Sequence, residues 1–235
     1  ILIIGENKSG IKSLEKLTTQ QLTDCAKVDS ARHCLLFAAN MQPAQETFIL
    51  ERWLKPYSFT INETHIEVVA LPGVFSHNRL DIGTQVLLEN SPKKVSGDLL
   101  DFGCGAGVIA SYYGKTFPSA NLHLLDVSAL ALYSAQETLK LNNLTGKIFP
   151  SNSLSDVNGK YDYVISNPPF HQGLKTNYQA TETFLSKIKR HLKPRGQVIV
   201  VANSFLRYQP IMEEEIGRTQ LLAKKKGFSL YHCSI

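Results

Sequence analysis

The chain has 235 residues, 43% of them hydrophobic and 19% charged, with a formal net charge of +5. That balance excludes a disordered chain, and no apolar run approaches the roughly 20 residues that span a bilayer as a helix. The positive charge permits a polyanionic partner without requiring one.

Residues 1–56 differ in pattern from the rest. Ile1-Leu-Ile-Ile4 reads as a strand, Ile11–Leu17 as a short helix, Cys34–Ala39 as a strand and Phe48–Leu54 as a helical turn. The start lacks an initiator Met and the basic flank of a signal peptide, so the chain is expected to be a fragment without its N-terminal portion. Gly5-Glu-Asn-Lys-Ser-Gly10-Ile-Lys-Ser13 resembles a phosphate loop. However, Ile11 displaces the lysine that must follow the second glycine, so triphosphate binding is not expected. Four scattered cysteines, Cys25, Cys34, Cys104 and Cys233, form no CxxC pair. Free thiols in a reducing compartment, the cytoplasm, and no metal site are therefore expected.

Pro56 marks a plausible domain boundary, with 57–235 as the second domain. Phe59–Leu71 reads as two strands joined at Asn62-Glu63. Strands and helices then alternate: helix Gly83–Glu89, strand Asp98–Phe102, helix Val108–Lys115, strand Leu122–Asp126, helix Ala129–Leu141, strands Lys147–Pro150 and Tyr161–Ser166. A helix Thr181–Leu192, ended by Pro194 and Gly196, precedes strand Gln197–Ala202, helix Pro210–Ile216 and a terminal hairpin, Thr219–Lys224 with Phe228–Cys233. Such alternation predicts a doubly wound, mostly parallel α/β sheet with ligands at the carboxyl ends of its strands.

Three motifs fall at those ends. Asp101-Phe-Gly103-Cys-Gly105-Ala-Gly107 links a strand to a helix. Glycines there let the backbone approach a ligand, and the helix N-terminus favours an anionic group. The G-x-G-x-G spacing is a poorer match to the dinucleotide fingerprint, while Asp101 is placed to meet a ligand ammonium directly or through water. Asp126 ends the next strand, where an acidic side chain can grip a ribose diol. An N-cap for the following helix, from Asp126 or Ser128, is the competing reading. Asn152, after the third strand, is placed for the edge of an adenine ring or for an Asx turn. Asn167-Pro168-Pro169-Phe170 follows a further strand. The prolines hold Asn167 extended and remove two N–H donors, leaving acceptors and a ring suited to a planar group with an exocyclic NH₂. An ordinary turn is the alternative.

These motifs resemble those of Class I S-adenosylmethionine (AdoMet) methyltransferases. More closely, Leu71-Pro-Gly-Val-Phe-Ser76, Leu80-Asp-Ile-Gly-Thr84, Ser166-Asn-Pro-Pro-Phe-His171 and Val201-Ala-Asn-Ser-Phe-Leu206 are similar to the bacterial small-subunit rRNA guanine-N2 methyltransferase C family. The resemblance implies a Rossmann-like, seven-stranded sheet with a C-terminal antiparallel hairpin. It implies that 1–56 is the end of a truncated, degenerate copy of that fold and 57–235 the catalytic domain. Methyl transfer from AdoMet to the N2 amine of a guanine in 16S rRNA or the small subunit follows, by a monomer without a metal. Asn167, Pro168, Pro169 and Phe170 inherit the catalytic role. Asp101, Gly103, Gly105, Gly107, Asp126, Asn152, Phe75, Asp81, Gly83 and Thr84 inherit cofactor binding. His171, Lys175 and Arg207 are candidate RNA contacts. Guanine N2 of large-subunit rRNA, adenine N6 and protein glutamine are the alternative targets, and a non-enzymatic assembly factor is the rival class. Further basic residues cluster at Lys187, Lys189, Arg190, Lys193 and Arg195 and at Lys224–Lys226, as phosphate contacts or solvated faces.

Overall fold

A computed structural model describes residues 1–17, 22–43, 47–92, 94–168 and 175–235. Pro169, Phe170 and His171 fall outside them. The chain divides into two compact units, Ile1–Leu50 and Glu51–Ile235.

In the first unit, β1 (Leu2–Glu6), β2 (Leu22–Ala31) and β3 (Cys34–Met41) form an antiparallel sheet ordered β1-β3-β2. A 3₁₀ turn at Ile11–Ser13 runs into α1 (Leu14–Leu17). The sequence pattern did not anticipate β2. Thr23–Ser30 carries few apolar side chains, and its turn residues, Arg32 and His33, are not the usual turn formers. Both nevertheless take positive φ, 46° and 65°, the geometry whose twist matches a hairpin.

In the second unit, β4 (Lys55–Ile61) and β5 (Thr64–Ala70) pair as a hairpin around Asn62-Glu63. Pro56 is the second residue of β4. The remaining elements are α2 (Ile82–Glu89), β6 (Gly97–Phe102), α3 (Val108–Thr116), β7 (Ala120–Asp126), α4 (Ala129–Leu141), β8 (Gly146–Pro150) and β9 (Tyr161–Ser166). They continue with α5 (Lys175–Lys187), β10 (Leu192–Asn203), α6 (Tyr208–Glu215), β11 (Arg218–Lys225) and β12 (Phe228–Ser234). The seven strands stand in the order β11-β12-β10-β9-β6-β7-β8. All pairings are parallel except those of β12, which runs against both neighbours. This is the doubly wound sheet with the antiparallel terminal hairpin that the sequence predicts.

The α5 region departs from expectation. The helix begins at Lys175, six residues early, and ends at Lys187 in a 3₁₀ turn, Ile188–His191. Leu192 already belongs to β10, and Pro194 and Gly196 lie within that strand. The strand tolerates them because its pairing with β9 shifts register between Leu192 and Gln197, where a ladder N–H is not needed.

The strands at the centre of the sheet are buried on both faces, with Leu99, Leu100, Val164, Ile165 and Val198–Ala202 fully enclosed. Each such Leu, Ile or Val contributes about 1.5–3 kcal/mol by burial. The β4–β5 hairpin is anchored differently. Along one face of α4, Ser134, Thr138 and Asn142 recur every four residues and are all buried. Ser134 Oγ accepts from Leu71 N at 3.1 Å. Thr138 Oγ1 accepts from Val69 N at 3.2 Å and donates to Val69 O at 3.1 Å. Asn142 Oδ1 accepts from Glu67 N at 3.1 Å, and its Nδ2 donates to Glu67 O. The open edge of β5 is thus satisfied by helix side chains, and the 71–81 loop is set at the carboxyl edge of the sheet.

Candidate active site at the carboxyl edge of the sheet

The glycine turn leaves β6 at Phe102 with Gly103, Gly105 and Gly107 at φ of 69°, 52° and 74°. Cys104 N donates to Leu125 O at 2.9 Å, tying the turn to β7. The three glycines differ in what surrounds them. A Cβ built on Gly103 meets nothing within 4 Å, and one on Gly105 only Phe75 O at 3.9 Å. One on Gly107 would lie 3.1 Å from Ala135 of α4. Gly103 and Gly105 border open space, whereas Gly107 lets two helices approach.

That space is a cavity of about 380 Å³, within the usual range for small-molecule sites. Phe75, Gly103, Gly105, Asp126, Asn152, Asn167 and Pro168 line it, together with Ser128, Ser151 and Thr181, which the sequence did not mark as ligand contacts. A smaller recess beside it, about 30 Å³, is lined by Asp81 and Thr84 with Phe75 and Asn167. Five predicted site residues lie elsewhere. Gly107 is in the α3–α4 contact. Gly83 allows α2 to pack on Phe228, whose ring an added Cβ would approach to 2.8 Å. Asp101 is buried beneath the turn. Arg207 is exposed, at the N-cap of α6. Lys175 is the first residue of α5.

Asp126 accepts from Gly105 N through Oδ2 and from Ser128 N through Oδ1, both at 2.9 Å. Ser128 provides the N-cap of α4, accepting from Ala131 N at 3.3 Å. Asp126 is therefore not the cap, and it holds the glycine turn against the start of α4. At Asn152 the local turn is closed by Ser151, whose Oγ accepts from Asp156 N and donates to Ser153 O. The Asn152 side chain makes no hydrogen bond among the described residues.

Asp101 substitutes for the missing cap of α3. Gly107, the N-cap, has no side chain to offer, and Asp101 Oδ2 accepts from Ala110 N at 3.0 Å. Its Oδ1 is buried without a partner among the described residues. Burial first, then the charge of Asp126, raises its pKa to about 7.

Asn167 leaves β9 into the cavity wall. Ser166 Oγ, fully buried, donates to Phe102 O at 2.8 Å and fixes the strand ends together. The Asn167 amide nitrogen donates to Asp81 Oδ2 at 3.0 Å and to Thr84 Oγ1 at 2.9 Å. Asp81 is itself the N-cap of α2, accepting from Thr84 N at 3.0 Å. A carboxylate accepts only, so the group facing it is the NH₂. With both amide hydrogens committed to Asp81 and Thr84, Asn167 has its Oδ1 acceptor to offer the cavity. Among the described residues, no group of three or more His, Cys, Asp or Glu could hold a metal ion.

The methyltransferase small domain model matches residues 65–232, and the model of its N-terminal domain matches residues 1–57. The ribosomal RNA small subunit methyltransferase C of Colwellia psychrerythraea is 55% identical, aligned to 100% of this chain and 66% of its own length. That of Pseudoalteromonas translucida is 44% identical over 98% of this chain and 68% of its own. The chain belongs to the ribosomal RNA small subunit methyltransferase C family. It spans about two thirds of the length of these relatives. Among solved structures, the T. thermophilus 16S rRNA N2 G1207 methyltransferase in complex with AdoMet and guanosine superposes with a TM-score of 0.85. It is 23% identical, over 99% of this chain and 64% of that one. A methyltransferase from Pyrococcus furiosus gives a TM-score of 0.59 at 16% identity, over 72% of this chain and 88% of that one. These likenesses establish the methyltransferase fold.

Proposed function

We propose that the protein transfers a methyl group from AdoMet to the exocyclic N2 amine of a guanine in 16S rRNA, in the cytoplasm. The observation that carries this reading is the fixed amide of Asn167 beside the glycine cradle. The two relatives are ribosomal RNA small subunit methyltransferases, and the T. thermophilus neighbour acts on N2 of a guanine. Residues 1–56 are read as the end of a degenerate copy of the catalytic fold, in line with the N-terminal family match to 1–57.

The residues fit the cofactor. Gly103 and Gly105 leave open space where a side chain would stand, and Asp101 keeps an unpartnered buried oxygen beneath them for an ammonium group, directly or through water. Asp126 takes the ribose hydroxyls while retaining its two backbone bonds, and Asn152 meets the adenine edge. When bound, AdoMet supplies an electrophilic methyl group on a sulfonium.

An exocyclic amine is a poor nucleophile because its lone pair is delocalised into the ring. Asn167 Oδ1 and the Pro168 carbonyl accept from that amine, and two such bonds favour a pyramidal nitrogen with its lone pair facing the methyl. Asp81 and Thr84 act through Asn167: they keep its oxygen, and not its NH₂, toward the substrate. This reassigns them from cofactor contacts to positioning residues. Alignment provides most of the acceleration, since effective molarity in such cases is worth about 7–11 kcal/mol. No strong base is needed, because the methylated nitrogen sheds its proton after transfer. The target base leaves its stack to reach the pocket, where Phe170 replaces part of the lost stacking.

The test is transfer of labelled methyl from AdoMet into 16S rRNA, offered naked and as assembled small subunits, against 23S rRNA. Label confined to 16S rRNA supports the reading; label in 23S rRNA alone, or in neither, overturns it.

A further inference from the structure

The topology separates the two groups of basic side chains to opposite edges of the sheet. Lys187, Lys189, Arg190, Lys193 and Arg195 lie from the end of α5 into the first residues of β10, at the edge where the parallel strands begin. Lys193 there is neutralised by Asp98 at 2.6 Å and Asp162 at 2.8 Å. Lys224 and Lys225 end β11, and Lys226 opens the turn from it into β12. Because β12 runs against both β10 and β11, that turn stands at the carboxyl edge, with Asn167.

All three lysines are exposed, and none has a carboxylate within salt-bridge distance among the described residues. Lys225 Nζ donates to Asn90 Oδ1 and Lys226 Nζ to Gln85 Oε1, both at 3.2 Å. These bonds fix the turn to α2 without cancelling its charge. The loop after β10 is joined to the same turn. Ser204 N donates to Gly227 O at 2.8 Å, and the Ser204 and Ser229 hydroxyls meet at 2.9 Å. That loop carries Phe205, 62% exposed, and exposed Arg207. One surface therefore holds four cations with no ion pair among the described residues, and an open aromatic ring. Single-stranded nucleic acid is recognised by that pairing, with cations on phosphates and a ring under a base. Helix α2 connects the surface to the site, since it holds the turn at Gln85 and Asn90 and holds Asn167 through Asp81 and Thr84.

We propose that Phe205, Arg207 and Lys224–Lys226 carry the single-stranded RNA that flanks the target base. Phosphates lie on the four cations, and a base neighbouring the target stacks on Phe205. The proposal rests on the reading of the site as an RNA methyltransferase, and it excludes the opposite basic edge from the interface.

The test titrates a labelled single-stranded oligoribonucleotide of mixed sequence at several KCl concentrations. For single strands the slope of log K against log salt is about −0.7 per phosphate contact. Changing Lys224, Lys225 and Lys226 together to Gln keeps hydrogen-bonding side chains and should reduce the slope by about two, with at least a tenfold loss of affinity at low salt. Phe205→Ala should weaken binding by roughly fivefold to a hundredfold and leave the slope unchanged. Lys187→Gln with Lys189→Gln should leave slope and affinity as in the wild type. Melting temperature and AdoMet affinity serve as controls for folding, which a salt slope does not report. An unchanged slope in the lysine variant, or an equal fall in the opposite-edge variant, overturns the surface while leaving the methyltransferase reading intact if 16S rRNA is still methylated. A wild type that neither binds RNA nor methylates it overturns both.

Discussion

Asp98 and Asp101 stand three residues apart on β6, one at each edge of the sheet, and their environments push them in opposite directions. Asp98 meets Lys193 and Asn121, and those hydrogen bonds hold its pKa below the ordinary carboxylate range. His123 and Asp162 complete the cluster, which ties the starts of β6, β7, β9 and β10 together. Among the described residues Asp101 meets only a backbone N–H, and it has burial against it, so its pKa is raised to about 7. Asp126 and Asp81 likewise bind backbone or amide N–H groups and, among the described residues, no cation. The charges of that cluster compensate one another and clamp strands. These three carboxyl groups at the carboxyl edge are left with acceptor capacity for a ligand, and Asp101, with its raised pKa, is the kind of perturbed group that marks a functional site.

The sharpest way to break this contrast is at Asn167. Asn167→Ala should lower kcat for methyl transfer by about two to three orders of magnitude, the cost of removing one positioned polar group. AdoMet affinity by calorimetry should stay near the wild-type value; a matching loss of affinity would show that the residue serves the cofactor instead. Asp126→Ala comes next. Loss of a charge-assisted contact of about 1.5–3 kcal/mol should weaken AdoMet binding roughly tenfold to a hundredfold, and unchanged affinity would remove it from the ribose site.

The pH dependence of stability sharpens the comparison further. Asp101 has a folded pKa of about 7 against an unfolded value of about 3.9. The folded state keeps a proton that the unfolded state has released, so this contribution is full in acid and is lost as pH rises toward 7. Asp98 has a lowered pKa and acts in the opposite sense: its contribution is present above the ordinary carboxylate range and is lost as pH falls through its own value. Asp101→Asn keeps an acceptor for Ala110 N and should flatten the decline in Tm between about pH 5 and 7; an undiminished decline would refute the raised pKa. The smallest effect is expected at the amino edge. Lys193→Met should lower Tm slightly near neutral pH and leave AdoMet binding and methyl transfer unchanged, because the ion pairs it breaks are half-exposed and screened.

Much of this was legible in the residues. Strand–helix alternation gave the sheet, and the glycine turn, Asp126 and Asn167-Pro168 fell together at its carboxyl edge. Long-range pairings were not legible. Nothing local connects Asp81 and Thr84 with Asn167, more than 80 positions away. The Ser134-Thr138-Asn142 stripe looks like an ordinary polar face until β5 is found against it. Glycine identity alone also could not separate Gly103 and Gly105, which border the cavity, from Gly107 and Gly83, which serve packing. That distinction lies in neighbours brought by the fold: Ala135 and Phe228.

The central claim, that Asn167 presents a guanine N2 amine to AdoMet, is tested most directly by the identity of the methylated nucleoside. 16S rRNA lacking the modification would be incubated with AdoMet and wild-type or Asn167→Ala protein, digested to nucleosides and analysed by mass spectrometry. The expected product is N2-methylguanosine with the wild type and almost none with the variant. N6-methyladenosine as the product, or N2-methylguanosine formed equally well by Asn167→Ala, would contradict the assignment.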